Sequence, residues 1–296
     1  MAAGIEQHEF TFPGEDGVAI AAYRWSKPVP TRAVLQIAHG MGEHAQRYRP
    51  ALAPLLDAGI VVYASDLRGH GRTARDAAGL GDLGPGGFER LVDDIARLTG
   101  LARAEQPGKP LILLGHSMGS FAAQLYCLDH YKIIDGLVLS GSSAVDKILE
   151  AAQAAGGANF EMFNAAFAPV RTPFDWLSRD AAQVDAYIAD PWCGFTLQPA
   201  SMVSMFGIAA RLADPAALGR IRHDLPIYVF SGDKDPVGNA TVWLQTIIER
   251  YRAAGIRDIS YDFYPDGRHE MLNEINADEV RTRLLAWIDR VCAARS

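Results

Sequence analysis

Gly115-His116-Ser117-Met118-Gly119 stands between the apolar run Pro110-Leu111-Ile112-Leu113-Leu114 and the run Ser120-Phe121-Ala122-Ala123-Gln124-Leu125-Tyr126-Cys127-Leu128. The first run reads as a short buried strand and the second as a helix. A strand that turns sharply into a helix at a serine forces the hydroxyl outward. The flanking glycines are needed because a side chain there would crowd the turn. Alone, G-x-S-x-G is a weak signal. Its place between strand and helix makes Ser117 a candidate nucleophile rather than an incidental serine in a glycine-rich loop.

The same alternation extends along the chain in both directions. Apolar strands are predicted at Ala33–Ala38, Ile60–Ala64, Leu111–Leu114, Leu137–Leu139, Ile227–Phe230 and Ile259–Phe263. Helices are predicted over Tyr48–Ala58, Phe88–Glu105, Ser117–His130, Ala240–Ala254 and Asp278–Ala294. Strands alternating with helices imply an α/β fold with a mostly parallel central sheet flanked by helices. A leading hairpin, His8–Phe12 and Val18–Trp25 around Gly14-Glu15-Asp16-Gly17, adds antiparallel strands at one edge. The rhythm stops between Ser142 and Arg222. There Gly156-Gly157 interrupts an alanine-rich stretch, and aromatics recur at Phe174, Trp176, Trp192 and Phe195. A structureless loop of that length is improbable. The expected division is a core of 1–141 and 223–296, with 142–222 as a helical cap over the sheet.

Composition narrows the classes of partner. The 296 residues carry a formal charge of −7, with no run of five basic residues, so phosphate neutralisation has no positive face and no nucleic-acid partner is expected. Cys127, Cys193 and Cys292 are odd in number and far apart, which argues against a disulfide framework or zinc-finger spacing. The start, Met1 to His8, has no basic segment followed by an apolar one, and no run approaches a membrane span. A cytoplasmic location is the expectation.

A serine needs a base within hydrogen-bond reach, and the base needs a third group to fix its tautomer. In open parallel sheets, working residues sit in loops at the carboxyl ends of strands. His269 lies just past the last predicted strand; His8, His130 and His223 have the wrong address, and His116 should point away from Ser117. After the preceding strand, Asp233 and Asp235 compete for the acid. Asp235 lies deeper in the loop before Pro236, whereas Asp233 suits a turn cap. The oxyanion of a tetrahedral intermediate needs two backbone N–H groups. Met118, at a helix start, offers one; Met41, between Gly40 and Gly42, is assigned the other. Metal binding by His39, Glu43 and His44 is the weaker account of that loop, because its glycines already explain it. Asp66-Leu67-Arg68-Gly69-His70-Gly71 lacks the spacing and lysine of a phosphate loop, and its Asp66 and Arg68 are expected to bond to each other or locally.

With these residues in place, the chain resembles the α/β-hydrolase superfamily, and within it the bacterial monoacylglycerol lipases and lysophospholipase-like serine esterases. The resemblance rests on His39-Gly40-Met41-Gly42-Glu43-His44, Asp66–Gly71, Gly115–Gly119, Gly232–Asp235 and His269-Glu270. It departs at Thr73, where serine is frequent in the family. The resemblance implies an α/β-hydrolase fold with a helical cap (a lid). It implies an acid three positions after Gly232, which is Asp235, and ester hydrolysis by Ser117, Asp235 and His269 through an acyl-enzyme without a cofactor. Acyl esters of the monoacylglycerol, lysophospholipid or medium-chain type are the expected substrates. Small esters, amides or peptides as in proline iminopeptidase-like relatives, and a non-catalytic ligand-binding role are the alternatives. His39, Gly40, His116, Met202, Met205 and Phe206 are the expected substrate contacts. Met162, Phe163, Phe167, Trp176 and Val203 add apolar surface to the cap, through which transient membrane-surface contact is expected.

Overall fold

The computed structural model describes residues 4–156 and 160–294. Gly157 and the first three residues, both read above, lie outside them. Eight strands form one sheet: β1 (Glu6–Pro13), β2 (Ala19–Ser26), β3 (Ala33–Ala38), β4 (Ile60–Ser65), β5 (Leu111–His116), β6 (Gly136–Ser140), β7 (Ile227–Gly232) and β8 (Ile259–Tyr264). Their order is β1-β2-β4-β3-β5-β6-β7-β8. β1 and β2 pair antiparallel, as do β2 and β4, and every later pairing is parallel. The fully apolar runs are buried along their whole length in β3, β4, β5 and β7, as strands covered on both faces must be. Parallel pairing also sends all their carboxyl ends to one edge, and the site is assembled there.

Ten α-helices are described: α1 (Ala53–Asp57), α2 (Gly87–Glu105), α3 (Met118–His130), α4 (Val145–Ala154), α5 (Ala181–Ala189), α6 (Pro199–Gly207), α7 (Ala209–Ala213), α8 (Pro215–Leu218), α9 (Val242–Ala253) and α10 (Ala277–Ala293). Leu91 and Leu98 of α2, Leu125 of α3 and Ile248 of α9 pack in one core on one face of the sheet. Leu55 and Leu56 of α1 pack with Leu284 and Ile288 of α10 in a second core on the other. The helix predicted over Tyr48–Ala58 is instead a 3-10 turn at Ala45–Ala51 followed by the short α1. Pro50 and Pro54 explain the break, since neither supplies an N–H to a continuous ladder.

Helices α4 to α8 fill the interval between β6 and β7 and contribute no strand among the described residues. Leu197, Met205, Ile208 and Leu212 join the α2–α3 core. Ser201 Oγ and Ser204 Oγ accept the N–H groups of Leu83 and Phe88 at 2.9 and 2.8 Å. No helix among the described residues is long and apolar enough to cross a membrane.

Candidate active site

Ser117, between β5 and α3, has φ 52° and ψ −123°, a region that non-glycine residues avoid because Cβ crowds the backbone. The turn is held from three sides. Ser117 N donates to Ser140 O at 2.9 Å, and its carbonyl accepts from Ser120 N at 2.8 Å and Ser120 Oγ at 2.5 Å. A methyl group at Gly119 would run into the carbonyls of Ala38 and His39, so only glycine lets α3 start this close to the loop after β3.

Asp235 and His269 meet across the loops after β7 and β8. His269 Nδ1 lies 3.0 Å from each carboxylate oxygen of Asp235. Asp235 is fully buried and also accepts from Ser231 Oγ at 2.7 Å and Val237 N at 2.9 Å. Burial works to raise its pKa, but the His269 charge and these donors outweigh it, and the carboxyl titrates below its usual range. Burial likewise works to lower His269, but the Asp235 charge and hydrogen bond prevail and raise it. Asp233, weighed as a cap of its own turn, instead accepts from Asp266 N at 2.8 Å and ties the two loops together.

Ser117 and His269 both lie beside the end of β6. Ser117 is bonded to Ser140, and a Cβ at Gly141 would stand 3.0 Å from the His269 ring. A Cβ at Gly40 would stand 3.1 Å from Ser117 Cβ, which puts the loop after β3 directly over the serine. Met41, next in that loop, is half-buried, and Met118 is buried as the first residue of α3. His116 is buried against the other side of the site, its ring centroid 4.8 Å from that of His269. Its pKa is pushed down to about 4, by burial first and by the His269 charge second, so it stays neutral.

Three expected contacts fall elsewhere. His39 is completely buried, with Nδ1 2.7 Å from Gly40 O and Nε2 accepting from Leu67 N at 2.9 Å, so neither nitrogen remains for a substrate. Met205 is buried in the α2–α3 core, and Met202 packs against it from the side. Asp66 and Arg68 do not pair with each other. Asp66 accepts from Tyr23, Ala45 N and Arg72 N, while Arg68 bridges Asp16 and Asp94.

Phe206 reaches a cavity of about 670 Å³. Its apolar wall includes Ile148, Met162, Phe163, Phe167 and Trp243, and Lys234, Asp266 and Arg268 supply polar groups. Neither Ser117 nor His269 is among its lining residues. Trp176 bridges the gap, its ring 4.9 Å from that of Phe163 and 4.9 Å from that of His269. In the sequence Trp176 reads only as apolar surface, because no periodicity reports a contact across 93 positions. A metal-compatible group occurs at His44, Asp190 and Cys193, whose donor atoms lie within 4.8 Å of one another. It shares only His44 with the set weighed from sequence; Glu43 is bonded to Gly40 N, Arg47 and Tyr48 instead.

A serine on a strained elbow, a buried aspartate on a histidine and a glycine loop facing the serine are now joined to one sheet edge. Residues 29–276 match the family described as Serine aminopeptidase, S33. The chain belongs to that family. This S33-family hydrolase has the α/β-hydrolase fold. It is 31% identical over 296 residues to the monoacylglycerol lipase of Mycolicibacterium smegmatis, covering 95% of this chain and 96% of that one. It is 30% identical over 184 residues to the human monoglyceride lipase, covering 60% of this chain and 57% of the human one. Among solved structures, a thermostable carboxyl esterase from Bacillus coagulans, in complex with glycerol, superposes with a TM-score of 0.85 at 27% identity, covering 97% of this chain and 99% of that one. These similarities make the chain an ester hydrolase by family.

Proposed function

We propose that the protein hydrolyses monoacylglycerols and similar acyl esters through an acyl-enzyme on Ser117. The observation that carries the reading is the His269 imidazole, hydrogen-bonded at Nδ1 to both oxygens of Asp235 and packed at Gly141, beside the anchor of Ser117. Ser117 Oγ attacks the ester carbonyl carbon while His269 Nε2 takes its proton. The oxyanion is received by the amides of Met41 and Met118. The C–O bond to the alcohol breaks, and His269 returns the proton to the leaving oxygen. Water then attacks the acyl-enzyme by the same route, releasing the acid and restoring Ser117. Asp235 holds the tautomer and stabilises the imidazolium. No metal or organic cofactor enters the scheme.

Two features support an acyl chain as the larger part of the substrate: the apolar cavity walls, and the monoacylglycerol lipase that spans nearly the same length. The segment 142–222 acts as the cap. Its exposed Met162 and Val203 give an apolar outer surface suited to brief contact with lipid aggregates. A fluorophosphonate probe with peptide mapping tests the nucleophile. Wild type labels on Ser117, Ser117→Ala does not, and turnover falls by about a millionfold. Equal labelling of the two proteins ends the reading. A panel of p-nitrophenyl esters and monoacylglycerols tests the substrate class, and a sharp preference for acetate removes the lipid assignment.

A further inference from the structure

Two buried carboxylates beside the site converge on one guanidinium. Arg47 Nη1 donates to Glu43 Oε2 and to Glu270 Oε1, each at 2.7 Å, and Nη2 donates to Glu270 Oε2 at 2.8 Å. The other oxygen of Glu43 accepts from Gly40 N at 2.5 Å and from Tyr48 Oη at 2.9 Å. Glu270 N donates to Leu177 O at 2.7 Å, and the Arg47 guanidinium lies 4.7 Å from the centre of the Tyr187 ring. The three segments so joined are the ones that must agree at the site. Gly40 abuts Ser117, Glu270 follows His269, and Leu177 and Tyr187 belong to the helical segment above.

We infer that Arg47 is a positioning residue, which through Glu43 and Glu270 sets the loop over Ser117 and the loop carrying His269 in one register. The inference rests on the proposed roles of Ser117 and His269. Only a planar fork can hold a carboxylate by two parallel bonds and still reach a second; a lysine ammonium is a point donor on a flexible stem. Arg47 also keeps both acids charged. Burial works to raise Glu43 and Glu270, and the Arg47 charge outweighs it in each. The cluster therefore carries two negative charges against one positive, close to His269.

That residual charge has a signature that packing alone lacks. The charged and titratable groups facing His269 are Asp235 from the loop after β7, His116 from the elbow, Glu270 from its own loop and Glu43 from the loop after β3. His116 is neutral, so Glu43 and Glu270 add to Asp235 in favouring the imidazolium. Removing one of those charges lets His269 lose its proton at lower pH. The fall of kcat/KM on the acid side then moves to lower pH.

Glu270→Gln, close to isosteric, is compared with wild type on a p-nitrophenyl ester. The expected result is an acid limb displaced to lower pH and a kcat reduced about tenfold, with KM nearly unchanged. Arg47→Met loses between about tenfold and a hundredfold in kcat, and Arg47→Lys recovers only part of it. Melting temperatures and fluorophosphonate labelling rates are recorded for each. If Arg47→Met does not fold, Glu270→Gln and Glu43→Gln carry the decision. A folded Glu270→Gln with wild-type kcat and an unmoved acid limb overturns the inference. So do losses that follow melting temperature while the pH profile stays fixed. A wild type that neither labels nor turns over instead removes the catalytic reading beneath it.

Discussion

The carboxyl edge of the sheet and the helices between β6 and β7 are built in different ways. At the edge, Asp235 and His269 are 0% and 1% exposed, and they are held by Ser231 Oγ at the end of β7, by Val237 N and by each other. In the helical segment Val203 is 73% exposed and Met162 57%, and polar bonds from side chains such as Ser178, Arg179, Ser201, Ser204 and Arg211 fasten it to the core. Parallel pairing fixes the first region from both sides. The second leaves more apolar surface exposed, where exchange of one side chain for another costs little. On the proposed function, chemistry that depends on tenths of an ångström belongs to the first, and substrate preference to the second.

The largest expected effect tests the rigid edge. On the proposed mechanism, Asp235→Asn loses its hold on the histidine tautomer, and kcat falls about ten-thousandfold with the fold intact. In wild type, His269 must be neutral to accept a proton. Because its charged form is favoured, kcat/KM should decline as pH drops through a midpoint above 6.5, and a midpoint well below that value contradicts the assignment. Gly232→Ala probes the same edge through packing. The new methyl would enter the Gly267 carbonyl, so urea unfolding should show a loss of about 3 kcal/mol, and an unchanged midpoint would deny that the loops are in contact.

Smaller effects belong to the other region. Phe206→Ala removes part of the cavity wall, so kcat/KM for a dodecanoyl ester should fall about tenfold more than for a butanoyl ester, roughly 1.4 kcal/mol. Equal losses on both esters would separate the cavity from acyl recognition. Val203→Ser should change stability by less than about 0.5 kcal/mol in the same urea assay. A large loss there would erase the contrast between the regions.

The same contrast decides what could be read from the chain. The strands were legible because full burial writes continuous apolar runs such as Leu111–Leu114. The elbow was legible because glycine is required wherever a backbone passes another at contact distance, as Gly119 passes Ala38 and His39. His269 had its address just past the last strand, whereas the address after β7 left Asp233 and Asp235 in competition, and the resemblance to the family favoured Asp235. Arg47 carried no such sign, since its link to Glu270 spans 223 positions. In α6, Met205 and Phe206 are adjacent and both apolar, yet one is buried in the core and the other lines the cavity. Composition gives no way to sort neighbours whose difference is a rotation of about a hundred degrees around a helix axis. Asp66 bonds locally, to Arg72 N, whereas Arg68 finds its carboxylates in other segments, where proximity in sequence gives no sign of them.

The indole of Trp176, resting on the His269 ring, gives the protein a built-in optical gauge. Indole emission is quenched by a neighbouring imidazolium, so the light from this one residue should dim as the histidine takes up its proton. The charge on the base would then be visible without any added dye.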